Sequence, residues 1–148
     1  MEKKSRRAVT ARLSSSSPVK ALALNLNGSA LYTGGSSNGD IIWWGKDQRY
    51  SSSQMRLAGI LRGHVRAVLC LATVSGNYNL LFSGSVDATI RVWSRGLLDS
   101  HKHTCSAVIK AHSGPVKCIA AKVEEENRVV LFSGSLDGSV NMWRIAVN

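Results

Sequence analysis

The 148-residue sequence says nearly the same thing three times. Leu31–Trp44 reads LYTGGSSNGDIIWW, Leu81–Ser94 reads LFSGSVDATIRVWS, and Leu131–Arg144 reads LFSGSLDGSVNMWR. Their starts are fifty residues apart both times. A unit of that size cannot bury its own faces, so it has to stack against copies of itself. Each unit also has an upstream half: SSSSPVKALAL from Ser14 to Leu24, LRGHVRAVLCLA from Leu61 to Ala72, and IKAHSGPVKCIAA from Ile109 to Ala121.

The texture of each unit is β. Val68–Thr73 and Val116–Ala121 are short apolar runs bounded by His, Gly or Pro, and predict first strands. Leu80–Ser83 and Val129–Ser133 predict second strands, Thr89–Trp93 and Ser139–Trp143 third strands, and Met55–Leu61 and Ser106–Lys110 fourth strands. The VDAT and LDGS tetrapeptides supply the tight turns between second and third strands. No long stripe of helical period competes with this reading. Four short antiparallel strands, repeated, make the blade of a propeller.

Two units carry a further pattern. Gly63-His64 is followed by Asp87 in a turn and by Trp93 six residues later, and Ala111-His112 by Asp137 and Trp143 in the same way. With these marks the sequence resembles the WD-repeat family over nearly its whole length. SPVKALALNLNGSALYTGG, LRGHVRAVLCL, LFSGSVDATIRVW and LFSGSLDGSVNMWRIAV are also similar to the last repeats of plant WD-repeat proteins of the JINGUBANG type. The fold class expected is all-β, a partial, three-blade WD-repeat β-propeller made of four-stranded antiparallel sheets.

The chemistry of the marked residues fits that architecture. A turn Asp bonds its own backbone, and a buried carboxylate needs donors. A His ring offers one nitrogen to the carboxylate and the other to a serine hydroxyl, which can take the donor-only indole N–H. The resemblance implies such a structural network in His64, Ser83, Asp87 and Trp93, and again in His112, Ser133, Asp137 and Trp143. The first unit departs from it. Ser15 falls at its His position, Asn38 near its turn Asp, and one extra residue leaves Trp43 and Trp44 competing for the Trp position, with Trp44 preferred. Ser, His and Asp together also suggest a hydrolase triad. A set that occurs twice, with no G-x-S-x-G elbow, argues for a repeat device instead. No catalytic residue and no cofactor are assigned.

The remaining signals are weaker. Lys plus Arg number 19 and Asp plus Glu 9, a net charge of +10. Half of that surplus lies in the first twenty residues, at Lys3, Lys4, Arg6, Arg7, Arg12 and Lys20 against Glu2. A basic balance suits a soluble surface first, and permits nucleic acid or anionic lipid as an alternative partner. Few Tyr and Phe are present to stack bases. Cys70, Cys105 and Cys118, odd in number and without a C-x-x-C, fit a reducing compartment, and hence cytoplasm or nucleus. Cys70 and Cys118 are expected to be buried on core strands. His101-Lys102-His103-Thr104-Cys105 has metal-ligand residue types but no second cluster, and is read as a loop with no metal. The serine runs 14–17 and 51–53 are read as polar loop. No apolar run is long enough for a transmembrane helix.

The chain therefore divides into a basic segment 1–13, a degenerate repeat 14–61, a repeat 62–110 and a repeat 111–148 without an outer strand of its own. RAVTARL, residues 7–13, fits the outer strand of an earlier blade, so the chain is expected to be the C-terminal part of a larger propeller. The expected function is a non-catalytic scaffold for protein partners. Binding residues sit on loops that a rigid scaffold presents. Val86 and Leu136 are apolar residues in the turns just before Asp87 and Asp137, and Arg66 and Ser113 follow the two histidines. These four form the candidate protein-binding face.

Overall fold

The computed structural model describes residues 12–35, 37–46, 54–74, 79–96 and 102–147. Within them all regular structure is strand. Most of segment 7–13, the run 51–53 and His101 lie outside the described residues. The strands are β1 (Ala21–Leu24), β2 (Ala30–Gly34), β3 (Ile41–Lys46), β4 (Met55–Leu61), β5 (Val68–Val74), β6 (Leu80–Ser85), β7 (Thr89–Arg95), β8 (His103–Lys110), β9 (Val116–Glu125), β10 (Arg128–Ser135) and β11 (Val140–Ala146). They form three antiparallel sheets in sequence order, β1-β2-β3-β4, β5-β6-β7-β8 and β9-β10-β11. The repeat is kept in the ladder: Leu31 pairs Trp44, Leu81 pairs Trp93 and Leu131 pairs Trp143. Trp44, not Trp43, thus holds the Trp position of the first unit.

The sheets stack face to face as an all-β arc of three propeller blades. At the first joint Ala30, Tyr32, Ile41 and Trp43 pack against Val68, Leu81 and Trp93. At the second, Cys70, Phe82, Ile90 and Val92 meet Val116, Val129 and Leu131. Neighbours, rather than sequence, decide what is buried. β6 and β10 share LFSGS, yet every residue of β6 is buried while Phe132 of β10 is 43% exposed. Covering one such ring is worth about 2 kcal/mol, so the uncovered outer faces forgo much of what stabilises the middle sheet.

Glycine sets how closely the sheets approach. A β-carbon at Gly34 would lie 2.8 Å from Val68 Cγ1, and one at Gly84 would lie 2.6 Å from Val116 Cγ1. A valine from the next inner strand thus fills the space that each glycine leaves empty.

Two sequence expectations are corrected. Cys118 is exposed rather than buried, because β9 turns it to the face that no further sheet covers, whereas Cys70 at the matching position is buried under Val116. His103, Thr104 and Cys105 are not loop but the start of β8, paired with Arg95, Ser94 and Trp93. The strand extends because the His103 ring finds an aromatic surface on the first sheet, 4.5 Å from the Trp43 ring.

The turns carry a measurable strain. Ala88 has φ 68° where Gly138, at the matching position of the third unit, has φ 85°. The left-handed region costs an L-residue about 1–2 kcal/mol, and glycine gives part of that back in chain entropy. Ala88→Gly is expected to stabilise the chain by about 0.5–1 kcal/mol, read as a higher denaturant midpoint. A lower midpoint would show that the turn is not strained.

Candidate functional site

The tight β6–β7 and β10–β11 turns and the connections that lead into β5 and β9 meet at one end of the stack. Each connection is pinned by backbone hydrogen bonds, Val86 N–H to Ala67 O at 3.0 Å and Leu136 N–H to Pro115 O at 3.1 Å. Side chains then complete the lock. His64 Nδ1 lies 2.8 Å from Asp87 Oδ2, His64 Nε2 lies 2.8 Å from Ser83 Oγ, and the Trp93 indole donates to Ser83 Oγ at 2.8 Å. In the third sheet the matching distances are 3.0 Å for His112 Nδ1 to Asp137 Oδ2, 2.8 Å for His112 Nε2 to Ser133 Oγ, and 3.0 Å for Trp143 Nε1 to Ser133 Oγ. The structure joins all eight network residues in two sets of four.

The proton arrangement follows from the donors available. The indole can only donate, so the serine hydroxyl accepts from it and donates to Nε2, which leaves Nδ1–H to donate to the carboxylate. That is a neutral imidazole. Burial, the largest influence, lowers the His64 pKa despite its partner Asp87. Asp87 is held below the usual carboxylate range even though burial opposes this, because Thr89 and His64 donate to it. The Asp137 carboxyl is also lowered, chiefly by the Ser139 hydroxyl.

The Ser–His–Asp distances are those of a hydrolase triad, but the surroundings are not. Ser83 is fully buried and Ser133 is 1% exposed, and each hydroxyl is already held by His on one side and Trp on the other. A substrate carbonyl has no approach, so the chain of bonds acts as a strut between connection, turn and strand. Two further hydroxyls belong to it. Thr89 Oγ1 donates to Asp87 Oδ1 and Ser139 Oγ to Asp137 Oδ1, both at 2.6 Å. The repeated S-x-D-x-Thr/Ser pattern in SVDAT and SLDGS was the signal for them.

The first unit keeps half of this device. Trp44 Nε1 donates to Thr33 Oγ1 at 3.0 Å, and Asn38 Oδ1 accepts the Asp40 N–H at 3.2 Å as the turn aspartates accept theirs. Ser15 bonds only locally among the hydrogen bonds described, taking the Ser17 N–H at 3.2 Å. A cluster that sequence reasoning missed joins the first two sheets. Tyr32 OH lies 2.8 Å from His103 Nε2, and the Arg95 guanidinium sits 5.0 Å over the Trp43 ring. Burial and Arg95 push the His103 pKa down to about 4. These residues come from different repeats, so no spacing within one repeat announces them.

Of the four residues in the candidate binding face, Arg66, Ser113 and Leu136 are exposed and Val86 is half-buried. Leu136 is 69% exposed. The residue that matches Ser113 directly after its histidine is Val65, 76% exposed and missed from sequence. Arg66 lies one position further on, where its carbonyl accepts the Ser85 hydroxyl at 3.0 Å. Among the described residues no three His, Cys, Asp or Glu side chains gather as a metal site, and no helix is long and apolar enough to cross a membrane.

The model of the WD domain, G-beta repeat, matches residues 55–94 and 103–144. The chain belongs to the WD-repeat family. WD repeats generally serve as protein-interaction scaffolds without chemistry of their own. Among its relatives are cell division control protein 4 of Candida albicans, 36% identical over 59% of this chain and 11% of that protein. Protein ROOT INITIATION DEFECTIVE 3 of Arabidopsis thaliana is 46% identical over 52% of this chain and 16% of that protein. A guanine nucleotide-binding protein subunit beta-like protein of Encephalitozoon cuniculi is 28% identical over 84% of this chain and 34% of that protein. The WD-repeat chain thus matches a minor part of each relative's length.

Proposed function

We propose that this chain is a non-catalytic scaffold that captures an extended protein segment at the end of the stack where Arg66, Val86, Ser113 and Leu136 lie. The observation that carries the reading is the combination of exposed apolar side chains with locked backbone. Val65 and Leu136 are large exposed hydrophobics, and the hydrogen bonds of Asp87 and Asp137 fix the segments on which they stand. A preformed site loses little entropy on binding. An aliphatic anchor beside an acid suits apolar residues next to Arg66. The resemblance to the last repeats of JINGUBANG-type proteins, a place in the C-terminal part of a larger propeller, and residence in cytoplasm or nucleus belong to the same proposal.

Fluorescent peptides that carry a leucine beside glutamate test it. Val86→Asp with Leu136→Asp is expected to weaken binding at least about tenfold, a loss of about 1.4 kcal/mol. Equal binding by a folded double variant removes this face from consideration. The net charge of +10 supports a second reading, a basic surface for nucleic acid or anionic lipid. Binding led by phosphate contacts weakens steeply with salt, whereas the peptide complex is expected to change little.

A further inference from the structure

We propose that His103 is an acid-released latch on the joint between the first and second sheets, closed while its ring is neutral and open once the ring takes a proton. The joint is formed between two described sheets, so the inference depends neither on what covers the outer faces nor on the function proposed above. His103 begins β8, the outermost strand of the second sheet, yet its ring reaches out of its own repeat. Nε2 lies 2.8 Å from the Tyr32 hydroxyl. The ring centre is 4.5 Å from that of Trp43 and 5.5 Å from that of Tyr32, edge-on to both. Tyr32 and Trp43 are core residues of the first joint, so one side chain of an edge strand ties that strand to the neighbouring sheet.

The site suits a neutral ring and opposes a charged one. Burial raises the Tyr32 pKa, so the phenol keeps its proton and can donate it to a neutral Nε2. A proton on Nε2 removes that acceptor. Among the described residues the charged groups around the ring are cations. Arg95 of β7 pairs with His103 across the ladder, and Lys102 precedes it in the chain. Arg56 of β4 pairs with Gly45, on the side of β3 that carries Trp43. The other titratable groups on this side are the Tyr32 phenol of β2 and the Cys105 thiol of β8. The described carboxylates stand elsewhere: Asp40 and Asp87 in turns at the opposite end of the strands, and Glu124, Glu125, Glu126 and Asp137 in the third sheet. An indole face can offset a cation, but the Arg95 guanidinium already sits 5.0 Å over the Trp43 ring. A proton therefore brings a second cation beside the first, away from water, and the ring is relieved by swinging out to solvent. Burial, then Arg95, hold the His103 pKa at about 4, down from 6.5. A depressed pKa means that the closed joint is fully favoured above about pH 6.5 and loses this contribution as the pH falls through about 4.

The test compares the whole chain with His103→Gln, which can still bond Tyr32 but takes no proton, and with His103→Phe, which keeps a ring. Should the Phe variant fail to fold, the Gln variant carries the comparison. Dividing the wild-type unfolding constant by that of a variant at each pH cancels the carboxylates that both share. This ratio is expected to stay level from pH 7 to 9 and to rise at least about tenfold between pH 6.5 and 4.5. Hydrogen exchange then locates the effect. At pH 4.5 the backbone of residues 103–105 is expected to exchange faster in wild type than in His103→Gln, with a smaller difference in β9 and β10. At pH 7 wild type is expected to exchange no faster than the variant. A ratio constant at every pH, or one that falls in acid, would overturn the proposal. So would an acceleration no greater at the start of β8 than in the third sheet, since His103 would then add to overall stability without latching this joint.

Discussion

Asp87→Ala is expected to cost about 3 kcal/mol. The carboxylate accepts from His64 Nδ1, from the Val65 and Thr89 backbone N–H groups and from the Thr89 hydroxyl. The His64 side chain is wholly enclosed, so its N–H finds no water when the partner goes. An orphaned buried donor costs about 1–3 kcal/mol, and here more than one is stranded. Asp137→Ala removes the same kinds of bonds and strands an equally enclosed His112 side chain, but the Asp137 turn is the more exposed of the two, so water replaces the turn's lost bonds more readily and the cost should be somewhat lower. Asn38→Ala should cost least, about 1 kcal/mol or below, because Asn38 is exposed and no His caps its turn. Denaturant midpoints at constant m-value give the ranking. Equal shifts for Asp87 and Asn38 would mean that the network adds nothing to the turn.

Gly39→Ala is expected to be comparably severe, about 3–4 kcal/mol, although it adds only one methyl group, because Gly39 is a buried turn residue. Two costs combine. Gly39 has φ +83°, and a β-carbon there would overlap the carbonyl of His64 and approach the carbonyl of Arg66 at 2.8 Å. Both neighbours are backbone held by the network, so they cannot rotate away. Gly28 separates the two costs. Its φ is +66° with nothing within 4 Å of an added β-carbon, so Gly28→Ala should show the conformational cost alone, about 1 kcal/mol. Thermal unfolding of both variants decides it. A Gly39 variant no worse than the Gly28 variant would mean that the first turn does not press against the second sheet.

What was legible in advance was whatever repeats. A contact made inside one unit recurs at fixed spacing, so His64, Ser83, Asp87 and Trp93 and their third-unit counterparts stand out, and the turns stand out with them. What was hidden depends on neighbours. The reading that buries Cys118 like Cys70 treats two matching positions alike, but one faces a third sheet and the other faces none. The loop reading of His103 fails for the same reason, since the surface that draws it into β8 belongs to Trp43, in another unit. Gly39 presses on the His64 carbonyl from the preceding repeat, and no pattern within SSNGD discloses that.

The uneven fate of the three thiols has a chemical consequence. A thiol reacts as its thiolate, and burial pushes the Cys70 pKa up to about 12. At pH 8 that leaves on the order of one ionised Cys70 in ten thousand molecules. Cys105 and Cys118 are exposed, so an alkylating reagent meets two accessible thiols and one silent one. Cys118 sits beside Gly134 in the face left bare, and Cys70 sits beside Gly84 in the joint already formed. The slow site is an internal standard carried in the same chain. The labelling rate at Cys118, measured against it, reports when another sheet arrives.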